Sequence, residues 1–217
     1  MSRRRAAILI SGRGSNMAAL ITAAQDPSYP AEIALVVSNR PDATGLELAG
    51  ASGIPTTVVD HTAYGRDREA FERALQAEIA ARRIDIVCLA GFMRLFTPWF
   101  VGQWTGRMLN IHPALLPSFK GLDTHRRAIE AGVKIHGATV HLVVPETDAG
   151  PIIAQAAIAV RDDDTAEVLA GRVLALEHRI YPLALALLAA GRVRLVDGRC
   201  LIAGAGAPDE ALIVPGA

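Results

Sequence analysis

The feature that most constrains this chain is an alternation of short, nearly unbroken apolar runs with segments of helical periodicity. Ala6–Ile10, Ile33–Ser38, Thr56–Val59 and Asp85–Ala90 have strand length and lack the polar residue at every second place that marks a half-exposed strand. Strands of this kind are covered on both faces, and their alternation with helices is the signature of a parallel sheet with crossover helices. Ser15 or Asn16 is a good N-cap for a first helix carrying Met17, Leu20 and Ile21. From about Arg66 to Arg82 a second helix puts Phe71, Leu75 and Ile79 on one apolar stripe. After Gly106 the pattern changes: 107–112 reads as a strand, Thr124–Ala131 as a helix, 137–144 and 151–160 as two further strands. A late helix, Thr165–Leu188, is expected to close the sheet. No repeat or linker interrupts the pattern, so one α/β domain is expected over residues 1–202. Residues 203–217, rich in Gly and Pro, read as a loosely held tail.

Composition narrows the partners. A chain of 217 residues can bury an enzyme-sized core. Its 22 basic and 22 acidic residues give a formal net charge of zero, so no broad field exists to hold a polyanion, and nucleic acid is not an expected partner. Cys88, inside the run IVCLAG, reads as a buried thiol, and neither it nor Cys200 has metal or redox spacing. Arg3–Arg5 precede an apolar stretch shorter than the ~7–15 residues of a signal-peptide core. The longest apolar run, Leu183–Ala190, is far below the roughly 20 residues that span a bilayer. A cytoplasmic protein with no membrane partner is expected.

Three places hold candidate chemistry. The loop Ser11-Gly12-Arg13-Gly14-Ser15-Asn16 lies where a first strand turns into a first helix, and glycines there let backbone N–H groups approach a phosphate at a helix N-terminus. It has neither the Lys-Ser/Thr of a P-loop nor the third glycine of a dinucleotide fingerprint, and a tight turn needing glycine is the competing explanation. Asn110-Ile111-His112-Pro113 stands at the carboxyl end of a strand, where ligands bind in open α/β sheets. Asn110 and His112 are two residues apart and so face the same way, an amide donor and an imidazole suited to a developing oxyanion. Taken alone, the pair is equally a way to satisfy backbone groups at a strand end. Asp148, in the turn-like run Asp-Ala-Gly-Pro, would favour the charged form of an imidazole beside it, but the same run explains it as a turn residue. His141, flanked by Val140 and Leu142, reads as packed in the sheet. His61, His125, His136 and His178 complete a set without metal-ligand spacing, so no metal is expected.

The segments Ile10–Asn16, Val37-Ser38-Asn39-Arg40, Leu89–Arg94, Asn110–Pro117, His136–His141 and Asp148–Pro151 together resemble the folate-dependent formyltransferases, in particular the branch acting on glycinamide ribonucleotide in purine biosynthesis. Order and spacing match from residue 8 to about residue 195. The resemblance implies a Rossmann-like, mostly parallel twisted sheet flanked by helices. It implies 10-formyltetrahydrofolate as cosubstrate, small-molecule partners only, and a monomer or homodimer. On the matching positions, Asn110, His112 and Asp148 fall on the catalytic trio, and Thr139 stands where some members have a catalytic-site serine. Gly12, Arg13, Gly14, Ser15, Asn16, Pro113 and Glu177 fall on the ribonucleotide site. Arg68, Met93, Arg94, Leu95, Val143, Glu146 and Thr147 fall on the folate site, with Arg94 toward the glutamate tail.

Two positions depart from the pattern: Asp123 stands where some relatives carry a histidine, and Leu174 where others carry Lys or Gln. The implied reaction is attack of the ribonucleotide amine on the formyl carbonyl, with Asn110 and protonated His112 on the oxyanion and Asp148 keeping His112 charged. The rival readings are another folate-dependent formyltransferase, a formyltetrahydrofolate hydrolase, and a non-catalytic nucleotide-binding module. All three catalytic residues are present, which speaks against the last.

Overall fold

The computed structural model describes residues 3–204, 206 and 212–214. Seven strands form one sheet in the order β3-β2-β1-β4-β5-β6-β7. The first five, β1 (Arg4–Ile10), β2 (Ala31–Ser38), β3 (Thr56–Val58), β4 (Ile86–Leu89) and β5 (Met108–His112), pair in parallel. β6 (Ile135–Leu142) and β7 (Ile152–Ala159) are antiparallel to their neighbours. The sheet is thus mostly parallel, as expected, with an antiparallel edge.

The continuous apolar runs are explained by two cores. Ala6, Ile8 and Ile10 pack with Met17, Leu20 and Ile21 of α1 (Ser15–Ala24) and with Leu169, Val173, Ile180 and Tyr181 of α6 (Ala166–Ala189). Ala7 and Leu9, pointing the other way, meet Phe71, Leu75 and Ile79 of α3 (Arg68–Ala80) and Phe100 of α4 (Pro98–Gln103). A strand with both faces covered has no position left for a polar side chain. Cys88 lies wholly in the first core, and burial pushes its thiol up to about 12.

The order of strands fixes where a ligand can enter. From β1 the chain proceeds outward through β2 and β3, then returns to lay β4 and β5 on the other side of β1. Crossover loops leave the carboxyl ends of β1 and β4 in opposite directions, and the crevice between them is the switch point at which such sheets bind ligands.

Several expectations are corrected. The N-cap of α1 is Gly14 at φ +72°, not Ser15 or Asn16, because only the left-handed glycine turns the chain tightly enough to present Ser15 already helical. α2 (Gly45–Ala51) and α4 were not anticipated: both are under two turns and too short to display an apolar stripe. The late helix does not close the sheet. It lies across one face beside α1, while β7 forms the edge. A hairpin, β8 (Val193–Val196) with β9 (Arg199–Ile202), follows it. Of the tail expected over 203–217, positions 205, 207–211 and 215–217 lie outside the described residues, as do 1 and 2. Among the described residues no helix is long and apolar enough to cross a membrane.

Candidate active site

Strand alternation builds the centre of the site. In β5, Leu109 and Ile111 point into the core under α6, which turns Asn110 and His112 to the opposite face. β6 runs antiparallel beside it with His141 opposite Asn110 and Thr139 opposite His112, so four polar side chains share that face. A polar cluster embedded in a sheet persists only when its members satisfy one another.

Asp148, which sits in the turn between β6 and β7 at φ +50°, brings a carboxylate to the two imidazoles. One carboxylate oxygen lies 3.4 Å from His112 Nδ1 and the other 3.8 Å from His141 Nε2, with all three side chains at least nine-tenths buried. The first distance suits an ion pair with a charged His112, and both are long for a good hydrogen bond. The oxygen facing His112 also accepts the Gly121 N–H at 2.8 Å. Gly150, two residues on, has no room for a Cβ, which would lie 1.7 Å from the Leu142 carbonyl oxygen, so the turn can be no wider. Asp148 is therefore both the turn residue and the carboxylate beside the imidazole.

The tautomer of His141 is legible. Its Nδ1 is 2.9 Å from the Leu142 carbonyl and so carries the proton, leaving Nε2 as acceptor for the Asn110 amide N–H at 3.3 Å. Burial holds the His141 imidazole below its usual range, the Leu142 hydrogen bond and Asp148 opposing and His112 adding to the effect. This neutral ring orients the amide group of Asn110 and leaves its second N–H free. His141 is packed in the sheet as its alternation suggests, and its register opposite Asn110 also brings it against that amide, a contact the sequence alone does not signal.

His112 Nε2 is 2.9 Å from the carbonyl oxygen of Phe119, on the loop from Pro113 to Asp123. That contact occupies the donor expected to face the reacting oxygen. Thr139, expected at the catalytic site, turns its hydroxyl to the loop. That wholly buried hydroxyl donates to the Ala114 carbonyl at 2.7 Å and accepts from Leu116 N–H and the Gln155 amide, both at 3.0 Å, so it anchors the loop. The Pro113 carbonyl accepts from Thr124 at the start of α5 (Thr124–Glu130). Under the loop lie His136 and His125, ring centroids 5.3 Å apart, with the edge of Phe119 on His136. Burial, then the neighbouring His125, pushes the His136 imidazole down to about 4.

At the other side of the crevice the loop after β1 has the geometry of an anion cradle. A Cβ on Gly12 would meet nothing within 4 Å, so the fold itself does not require glycine there and the space in front of the loop is open. Gly14, by contrast, is needed by its φ and by Met17, whose Cε would be 2.9 Å from a Cβ. No side chain caps α1, leaving its first N–H groups without an internal partner. Arg13 is exposed and Ser15 likewise. Asn16 donates to Glu177 of α6 at 2.6 Å, tying the loop to that helix, and burial raises the Glu177 carboxyl.

The segment expected to meet the folate divides. Met93 and Leu95 are 65% and 66% exposed, an apolar edge presented to the crevice. Arg68 donates to the Leu95 carbonyl at 2.5 Å. Arg94 lies over the Phe71 ring, 5.3 Å from its centre, with its N–H edges uncommitted. Phe92, Phe96 and Phe100 stack in sequence behind the segment, and buried Glu72 accepts from Thr97 N–H at 2.6 Å where α4 begins. Val143 is half-buried, its N–H donating to Met108, while Glu146 and Thr147 are exposed and Glu146 is 3.9 Å from Lys120. Asp123, at φ +56°, pairs with Arg126 on the surface, and Leu174 is half-buried on α6. Among the described residues no three His, Cys, Asp or Glu side chains stand as a metal-binding group.

Residues 4–185 match the formyl transferase family. The chain is 42% identical to the phosphoribosylglycinamide formyltransferase of Escherichia coli, covering 94% of this chain and 95% of the relative. It is 49% identical to the trifunctional purine biosynthetic protein adenosine-3 of Bos taurus over 89% of its own length, and spans only 19% of that relative. The crystal structure of glycinamide ribonucleotide transformylase 1 from Symbiobacterium toebii superposes with a TM-score of 0.89 at 45% identity, covering 92% of this chain and 94% of the other.

Proposed function

Because this chain belongs to the formyl transferase family, we propose that it moves a formyl group from 10-formyltetrahydrofolate to the amine of glycinamide ribonucleotide, a step of purine synthesis. The observation that carries this reading is the convergence of Asn110, His112, His141 and Asp148 at the mouth of a crevice flanked by an uncapped helix N-terminus. The folate, when bound, supplies an activated formyl carbon. Everything else falls to the chain's own side chains.

Asn110 offers its free N–H to the oxygen on which negative charge develops, and a preoriented donor of this kind lowers the barrier because it needs no reorganisation. His112 adds a second donor through Nε2 once the Phe119 carbonyl yields that position. Asp148 stands behind the ring and stabilises its charged form while a proton passes from the attacking amine toward the departing folate nitrogen. The Gly12–Asn16 loop receives the phosphate, Glu177 the ribose, and Met93, Leu95 and Val143 the pterin side, with Arg68 and Arg94 toward the tail. Small molecules are the partners, in a monomer or homodimer working in the cytoplasm, and no metal takes part.

The test is direct: purified protein with glycinamide ribonucleotide and 10-formyltetrahydrofolate should yield the formylated ribonucleotide and tetrahydrofolate in equal amounts. Formate release without formylated product would make the chain a hydrolase.

A further inference from the structure

The crevice between β1 and β4 separates the loop read as holding the phosphate from the segment read as holding the folate. Among the described residues a single buried hydroxyl bridges it. Ser11, 8% exposed, accepts the backbone N–H of Met93 at 2.8 Å and lies 2.6 Å from the side-chain oxygen of Asn39. A hydroxyl has one proton, and the Met93 N–H can only donate, so the Ser11 proton points to Asn39. Asn39, just after β2, is 3% exposed and is held in turn by His61, whose Nδ1 lies 2.7 Å from the Asn39 backbone carbonyl oxygen. Three loop tips, after β1, β2 and β4, thus meet at one oxygen.

The placement has a consequence for binding. Ser11 is next to Gly12, the position whose open front has no explanation in the fold, and any ligand that draws the loop forward moves the Ser11 hydroxyl. On the far side the Met93 side chain is 65% exposed, and its backbone is tied to that hydroxyl. We propose that Ser11 is a positioning residue that couples the two substrate sites: phosphate bound at Gly12–Asn16 fixes Ser11, and Ser11 fixes the Gly91–Leu95 segment against the folate. The assignment of substrates to the two sites rests on the function proposed above; the bridge itself does not. Coupling between sites is reciprocal, so each ligand tightens the other by the same factor.

The measurement is calorimetric, with tetrahydrofolate, which carries no formyl group and so permits no turnover, titrated with and without saturating glycinamide ribonucleotide. The intact protein should bind tetrahydrofolate about 5-fold or more tighter when the ribonucleotide is present, the lower end of usual coupling. Ser11→Ala should bring that factor close to 1 while changing either separate affinity much less, and Ser11→Thr, which keeps the hydroxyl, should restore it. Should Ser11→Ala fail to fold, Asn39→Leu removes only the acceptor of the Ser11 proton and should lower the factor in the same direction. A factor of 1 in the intact protein, or an unchanged factor in the folded variants, overturns the coupling role. Failure of the intact protein to bind either ligand overturns the function proposed above as well, so the two failures are distinct.

Discussion

Asp148 has two sufficient explanations, a turn and a charge, and the structure makes them separable. Its backbone is left-handed at φ +50°, a conformation that Asp and Asn both tolerate, so Asp148→Asn keeps the turn and removes only the charge between His112 and His141. Turnover should fall by about 10²-fold or more, the usual weight of a proton-transfer group, with the thermal midpoint nearly unchanged. Steady-state kinetics beside a melting curve checks both, and near-normal kcat would leave Asp148 a turn residue. Gly12 permits a similar separation. With nothing within 4 Å of a Cβ, Gly12→Ala should leave stability alone and raise KM for the ribonucleotide about 10-fold through a methyl group standing where the phosphate approaches. KM for the folate should not move. Gly14 is unsuited to this test because its φ of +72° strains any replacement.

The element that most shapes the site is the Pro113–Asp123 loop. One end is pinned by Thr139 and Gln155 from the sheet, the other by Asp148 through Gly121, and its middle puts the Phe119 carbonyl on His112. Thr139→Val replaces the hydroxyl with a methyl of similar size and strands the Leu116 N–H and the Ala114 carbonyl. Leaving such buried groups unsatisfied costs about 1–3 kcal/mol, which should show in the denaturant midpoint. Because the Thr139 hydroxyl is taken up by the loop, kcat should drop several-fold while both KM values stay within about twofold, an outcome read from initial rates. A loss confined to stability would reduce Thr139 to a packing role.

For the whole molecule the buried histidines set the response to acid. The His136 imidazole is held down to about 4 by burial, below its ordinary value of about 6.5. An unfolded chain therefore takes up a proton that the fold refuses, and stability fully present above pH 6.5 is lost as the pH falls through about 4. His125, His141 and His178, lowered by burial as well, act in the same sense, while Glu177, raised by burial, acts in the opposite one. Urea midpoints at pH 7 and pH 5 should fall further apart in the intact protein than in His136→Phe, which keeps an aromatic ring against Phe119. Equal drops would mean that other groups govern the acid limb.

The sequence by itself determined the sheet and which polar residues share a strand face. Unbroken apolar runs such as Ala6–Ile10 have no other stable place than between two layers of helix, and residues two apart, such as Asn110 and His112, must share a face. Its motifs carried the family, since glycine, amide and imidazole at those spacings are local demands of backbone and chemistry. The tertiary structure alone decided the partners. That His141 faces Asn110, that Thr139 faces away into the loop backbone, and that Ser11 reaches Met93 across 82 positions of chain depend on register between strands remote in sequence. A one-residue slip of β6 on β5 would reverse His141 and Thr139 while leaving local periodicity unchanged. Periodicity reports which residues are buried together on one element; only pairing of distant elements says what each buried polar group touches.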